Sequence, residues 1–164
     1  GAVAVMFSHG VVTGMLFFLV GMVYDRTHTR MIAEVSGLSS QVPVAGGLLA
    51  FASFASLGLP GLSGFVGEFL SLVGAWASDI PVGWVVLSAI GVLLAAAYML
   101  WLVQRVVLGS PSAAVSGIAD LSAREVAVLL PLVALTLIVG LYWDSLLRFT
   151  DPAVRSILAM MGGA

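Results

Sequence analysis

The sequence contains no cysteine, no lysine and two histidines, and charged residues make up 9% of its 164 positions. Without cysteine, this chain can form neither a disulfide nor a thiolate-held zinc or iron–sulfur site. Two histidines set apart in sequence argue against a haem site or a dedicated metal cage. The formal net charge of −2 lacks the basic excess that marks nucleic-acid binding. The composition therefore gives no sign of redox, metal or nucleic-acid chemistry on this chain.

Apolar residues dominate instead. Hydrophobic residues account for 61% of the sequence and the mean hydropathy is +1.17, whereas about a quarter of a soluble domain is charged. Several runs approach or exceed the roughly 20 apolar residues that cross a ~30 Å hydrocarbon core. The sequence predicts an all-α, polytopic transmembrane helix bundle with about four spans, one of them discontinuous. The first residues are apolar and no initiator methionine precedes them, so we expect a C-terminal piece of a longer membrane protein.

Residues 1–143 are predicted to form the transmembrane bundle, and Pro131 is expected to interrupt its last span. Residues 144–164 are predicted as a C-terminal tail that can form a surface helix. The expected spans cover residues 2–23, 43–78 (broken at 58–64), 82–104 and 125–143.

The region 43–78 holds the most unusual feature, a helix break beside an acid. Glu68 is its sole charged residue. A carboxylate in hydrocarbon costs several kcal/mol unless it is paired, protonated or hydrated, and a broken helix leaves backbone groups that can hold water or ions. The region forms either one discontinuous crossing or two short spans meeting at a tight turn; the uncharged break favours the first. The break residues are Gly58, Pro60, Gly61 and Gly64.

Two side chains are candidates for proton transfer. Glu68 is expected near mid-membrane, where an ionisable group usually marks an ion or proton path. Its structural alternative is a permanently protonated acid bonded to backbone groups freed by the break. His9 lies near the middle of the first span and can exchange protons near neutral pH, although a buried histidine also serves as a helix contact. His28 is interpreted as a solvated or packing loop residue.

The arginines indicate the orientation of the chain. If 43–78 is one crossing, four arginines flank one side of the membrane and two flank the other. The excess places loops 24–42 and 105–124 in the cytoplasm. The two-span alternative also divides the arginines four against two, so charge does not choose between them.

Four short motifs of this chain are distinctive: Ser8-His9-Gly10, Tyr24-Asp25-Arg26-Thr27-His28-Thr29-Arg30, Gly58-Leu59-Pro60-Gly61 and Gly64-Phe65-Val66-Gly67-Glu68-Phe69. With them the sequence resembles the antiporter-like M subunits of the proton-pumping NADH:quinone oxidoreductase (respiratory complex I), the bacterial counterparts of mitochondrial subunit 4. The resemblance covers essentially the whole chain and is most specific over residues 8–30 and 58–69. The break is shared with sister antiporter-like chains and with sodium/proton antiporter complexes.

The resemblance implies a place within a larger fold of fourteen transmembrane helices, of which the four spans here correspond to the last four. Glu68 then matches the family glutamate at the exit half-channel. His9 matches the histidine that links the central axis to that exit, and His28 matches a loop residue without a transport role. The family's entry-side glutamate–lysine pair and central lysine lie on earlier helices, so this chain corresponds to the exit half.

The implied function is proton translocation, as a membrane subunit of a proton-translocating oxidoreductase without a redox centre on this chain. NADH, flavin, iron–sulfur clusters and quinone are expected on partner subunits. The implied partners are the other membrane subunits of complex I, including sister antiporter-like chains, in a bacterial inner membrane. The alternatives are a subunit of a multisubunit cation/proton antiporter or membrane-bound hydrogenase, and a purely structural membrane scaffold.

Overall fold

The computed structural model describes residues 1–162, which contain helices and no strand. The all-α prediction is therefore confirmed, while the last two residues of the predicted tail lie outside the described residues. The helices are α1 (Ala2–Thr27), α2 (Leu38–Gln41), α3 (Pro43–Ser56), α4 (Ser63–Trp76), α5 (Val82–Leu102, continued by a π-helical turn, Val103–Val107), α6 (Ala123–Leu141) and α7 (Asp144–Gly162).

Three of these helices are long and apolar enough to cross a membrane: α1, α5 with its π-helical turn, and α6. The fourth crossing is divided between α3 and α4, which contain 14 residues each. At 1.5 Å per residue each half is about 21 Å long, too short to span ~30 Å of hydrocarbon alone. The predicted bundle of about four spans with one discontinuous helix is confirmed.

Both halves of the broken helix lie along α1 and run in the same direction. Val12 of α1 packs in a small core with Ala55 at the end of α3. About two turns towards the start of α1, the backbone of Val5 lies against Gly67 of α4; a Cβ added to Gly67 would lie 2.6 Å from the Val5 nitrogen. From the end of α1 towards its start, the contacts that α1 makes pass from α3 to α4, which comes later in the chain. This is the geometry of a single discontinuous crossing.

Proline acts differently in α3 and α6. Pro43 occupies the first turn of α3, where its missing N–H removes no helical hydrogen bond. Pro131 lies inside α6, and the helix continues from Ala123 to Leu141 around it. The predicted interruption at Pro131 is therefore wrong, because one lost backbone bond does not end a transmembrane helix whose flanking turns remain apolar.

A polar clasp joins the ends of three helices at one end of the bundle. Arg26 of α1 makes a two-pronged ion pair with Glu125 of α6, with Nη1 donating to Oε1 at 2.9 Å and Nη2 to Oε2 at 2.7 Å. The Asp120 carboxylate accepts hydrogen bonds from the backbone N–H groups of Val44 (2.8 Å) and Ala45 (3.1 Å), in the first turn of α3. These contacts fix the starts of α3 and α6 against the end of α1.

Glu125→Gln is expected to lower the free energy of unfolding by about 2 kcal/mol, because it removes the charged acceptor from a pair whose side chains are 20% and 17% exposed. Glutamine can still complete the capping box that Glu125 forms with Ser122 at the start of α6. The substitution therefore isolates the ion pair from the cap. Thermal denaturation of the purified, assembled protein measures the loss.

The matched control is Asp151→Asn, which breaks the exposed Asp151–Arg155 pair one turn apart in α7. Exposed pairs of this kind contribute about 0.5 kcal/mol or less. If both variants shift the midpoint of thermal unfolding equally, the clasp contributes no more than a surface ion pair.

Candidate proton-transfer site

Glu68 and His9 line the same cleft, which lies between α1 and the helix break and has a volume of about 80 Å³. This His9–Glu68 cleft has room for a few water molecules. Its polar lining comes from α1 and from the two half-helices α3 and α4, with hydroxyl groups beside the two titratable side chains. Those side chains are Ser8, His9 and Thr13 on one side and Ser56 and Glu68 on the other. The two residues predicted for proton transfer are thus brought together.

The Glu68 carboxylate is half-buried and turns back towards the break. A Cβ added to Gly58 would collide with Glu68 Oε2 and lie 3.1 Å from its Cδ. Gly58 also has a φ of +76°, which glycine adopts without strain. No hydrogen bond to Glu68 occurs among the described residues, so the carboxylate does not bond the backbone freed by the break.

The break itself is a compact turn. The N–H groups of Leu57 and Leu59 bond the carbonyls of Ser53 (3.0 Å) and Phe54 (3.1 Å) at the end of α3. The expectation that freed backbone groups stay open is therefore wrong for the carbonyls of Ser53 and Phe54, which turn residues satisfy, while no side chain caps the first N–H groups of α4. Polar side chains from both sides of the break line the cleft. The break also sets the position of Glu68.

Glycines allow the two half-helices and α6 to meet at the break. A Cβ on Gly64 would strike the carbonyl oxygen of Ala55, so α4 starts directly against the end of α3. A Cβ on Gly140 of α6 would strike the carbonyl oxygen of Gly61, whose φ is +94°. Pro60 lies exposed at the outside of the turn. The break residues predicted from sequence therefore act by close packing as well as by ending a helix.

His9 faces Glu68 across the cleft without bonding it directly. Its Nδ1 lies 3.3 Å from the Thr13 hydroxyl, one turn along α1. The neighbouring Ser8 hydroxyl shares a buried hydrogen bond of 2.9 Å with Ser63 at the start of α4. That bond fixes the α1 wall of the cleft to the helix that carries Glu68. The Ser8–Ser63 pair was not predicted from the sequence.

His28 lies at the other end of α1, where it terminates the helix. Its φ is 54° and its backbone N–H bonds the Tyr24 carbonyl at 2.7 Å. The imidazole meets the Tyr24 ring edge to face, with centroids 6.3 Å apart. Nineteen residues of helix, about 28 Å, separate it from His9. The position places His28 outside the cleft.

The sequence matches a family model described as "NADH:quinone oxidoreductase/Mrp antiporter, TM" over residues 1–119. NADH-quinone oxidoreductase subunit M from Rhodobacter capsulatus is 44% identical over 160 residues, which cover 96% of this chain and 31% of the relative. NADH-ubiquinone oxidoreductase chain 4 from Marchantia polymorpha is 38% identical over 160 residues, or 96% of this chain and 32% of the relative.

A similar chain also occurs in a solved structure, that of respiratory complex I from Thermus thermophilus with bound NADH. The two chains superpose with a TM-score of 0.79 and 36% identity, over 88% of this chain and 30% of the other. This chain spans about a third of the length of the curated relatives it matches.

Proposed function

This chain belongs to the NADH:quinone oxidoreductase/Mrp antiporter transmembrane family, and from that premise we propose that it forms the exit half-channel of a proton-translocating subunit. The subunit would work within an NADH:quinone oxidoreductase, driven by redox chemistry on other subunits. Because the chain spans about a third of its relatives, the entry half of the path belongs to the remaining length of the protein.

The observation that carries this proposal is the cleft shared by Glu68 and His9. Both groups can gain and lose a proton, and they line the same water-sized cleft, with His9 exposed and Glu68 half-buried. A proton on His9 would pass through water in the cleft to the Glu68 carboxylate and leave from there past the break. The absence of a protein hydrogen bond to Glu68 among the described residues keeps its oxygens available for this exchange.

The same proposal predicts the location of the protein, its partner subunits and the cofactors that those subunits bind. The protein would lie in a bacterial inner membrane, with the loops at the polar clasp on the cytoplasmic side. Its partners would be the other membrane subunits of complex I, including sister antiporter-like chains. NADH, flavin, iron–sulfur clusters and quinone would bind to those and other subunits; for the iron–sulfur clusters this agrees with the lack of cysteine, whose thiolates hold such clusters.

A cation/proton antiporter is the second candidate, because the matching family includes Mrp antiporters. The curated relatives reported above are named as oxidoreductase subunits, which favours the first. Purification of the full-length subunit from its native membrane distinguishes the two. We expect a flavin- and iron–sulfur-containing assembly with NADH:quinone activity to purify with it. Recovery with cation-antiporter subunits and without NADH oxidation would contradict the oxidoreductase assignment.

His9→Ala is expected to slow proton transfer through the cleft by roughly tenfold, below the larger factors typical of a lost acid–base group. Water in the cleft can replace part of a histidine's role, which limits the loss. The measurement is the initial rate of acidification in sealed vesicles during NADH oxidation. His28→Asn is the matched control, because asparagine tolerates the left-handed backbone found there. Equal acidification by both variants would return His9 to a packing role.

A further inference from the structure

A second cleft, separate from the His9–Glu68 cleft, opens at the end of the bundle that carries the polar clasp. It has a volume of about 120 Å³ and an almost entirely apolar lining. Val20 of α1, Leu49 of α3, and Leu102 and Val106 from the end of α5 form its walls. Arg30 and Thr29 lie at its polar edge. The combination is an apolar groove with a cation at one end.

A neighbouring, wider cleft adds a second cation. It measures about 380 Å³, shares Ile32 with the apolar groove, and is lined by Trp101 and Arg105. The two guanidinium groups have similar settings: Arg30 lies over the Tyr24 ring at 4.6 Å, and Arg105 over the Trp101 ring at 5.0 Å. Neither arginine forms an ion pair with another described residue. Arg30 therefore lies at the edge of the groove, and Arg105 lines the cleft next to it.

These residues lie at or just beyond the ends of helices that are long and apolar enough to cross a membrane. Trp101 and Arg105 stand at the end of the spanning segment Val82–Val107, and Tyr24 and Arg30 at the end of α1. Tyrosine, tryptophan and arginine are typical of this interface. α5 is also the most open of the three spanning helices, with 6% of its most apolar stretch buried against the described chain. In the groove wall itself, Val20 is exposed, Leu102 is half-buried and Val106 is buried.

We propose that this groove binds an anionic phospholipid, with its phosphate between Arg30 and Arg105 and an acyl chain against Val20, Leu102 and Val106. Charge complementarity selects the headgroup, since Arg30 and Arg105 form no ion pair with another described residue and the same end of the bundle carries four of the six arginines. The apolar lining accommodates the chain. Basic pockets between transmembrane helices commonly hold acidic headgroups in this way. The site goes beyond proton translocation and does not depend on it.

Photolabelling of the full-length subunit in its intact membrane assembly tests the site. The probes are phosphatidylglycerol and phosphatidylcholine carrying the same photoreactive acyl chain, with labelled peptides identified by mass spectrometry. Phosphatidylglycerol is expected to label residues 20–38 and 102–107 in preference to phosphatidylcholine. Arg30→Gln and Arg105→Gln should each lower that preference roughly fivefold, and the double variant roughly 25-fold. Arg124→Gln is the control, an exposed arginine at the same end of the bundle but outside the groove.

Three results would overturn the proposal. Equal labelling by the two probes in the unmodified protein would show that the groove accepts lipid without recognising charge. Unchanged preference in the double variant would exclude the two arginines as the headgroup site. Absence of label from both peptides would mean that another part of the full-length protein, or another subunit, fills the groove. The first and third comparisons need no substitution, so they hold even if the double variant fails to assemble.

Discussion

Glu68→Gln is expected to slow proton transfer through the His9–Glu68 cleft roughly 100-fold or more, while NADH-driven quinone reduction by the assembly stays measurable. Glutamine has nearly the shape of glutamate, so it can occupy the space that Gly58 leaves open at the break. It cannot release a proton at physiological pH. The number of protons translocated per electron pair, measured in sealed vesicles, is therefore expected to fall without loss of the assembled protein.

Two companion variants test whether translocation requires an acid and whether that acid must be at position 68. Glu68→Asp keeps an acid one methylene shorter and should restore part of the translocation. Glu34→Gln alters an exposed loop carboxylate that bonds Thr29 at the other end of α1, and its stoichiometry should match that of the unmodified protein. If Glu68→Gln also matches the unmodified protein, Glu68 is a neutral helix contact and the scaffold interpretation is correct.

Gly64→Ala is expected to prevent close packing of the two half-helices and to destabilise the assembled protein by about 3 kcal/mol. The added Cβ would strike the carbonyl oxygen of Ala55, lie 3.3 Å from its carbonyl carbon and approach the Gly58 Cα at 3.6 Å. These are backbone atoms in a tight turn, so no flexible side chain can move aside. The start of α4 must shift, and Glu68 shifts with it.

Gly74→Ala is the matched control on the same helix. No heavy atom lies within 4 Å of a Cβ built on Gly74, and alanine favours the helix over glycine by up to about 1 kcal/mol. Thermal denaturation and the yield of assembled protein report both substitutions. We expect opposite signs, a loss at position 64 and a neutral or small gain at position 74. Equal midpoints would mean that the break is flexible enough to absorb a methyl group.

Much of the fold could be predicted because a membrane restricts the choices. Long apolar runs must form helices to satisfy their backbone groups, so α1, α5 and α6 follow from composition and length. Glycines and a proline around Gly58 indicated where one helix ends and another begins. The resemblance to M subunits is confirmed by the family match over residues 1–119 and by relatives of 38% to 44% identity.

The contacts between helices could not be predicted in the same way. Arg26 and Glu125 are 99 residues apart, and Ser8 and Ser63 are 55 apart. Such pairs depend on the rotation and register of packed helices, which hydropathy does not specify. The capping box at Ser122 and Glu125 did have a local signal, a serine followed three residues later by glutamate. Pro131 also gave a local signal, that of a helix break, but α6 continues through it.

The residues of the site could be predicted from the sequence, but their arrangement in space could not. An acid beside a helix break in an apolar run stands out in any sequence, and His9 is the one histidine within a span. Their common cleft required the packing of α1 along both α3 and α4. Backbone groups at the break were expected to be open, and turn residues instead bond the carbonyls of Ser53, Phe54 and Ala55. The transport roles of both residues remain predictions until their variants are measured.

In the proposed path, a proton crosses between His9 and Glu68 through water held in their cleft. A cryo-EM map of the intact membrane assembly, at a resolution that shows individual water molecules, tests it most directly. We predict ordered water in the cleft, within hydrogen-bonding distance of a Glu68 carboxylate oxygen and linked to the His9 ring. A dry cleft, or one filled by an apolar side chain from another helix, would contradict the proposed path.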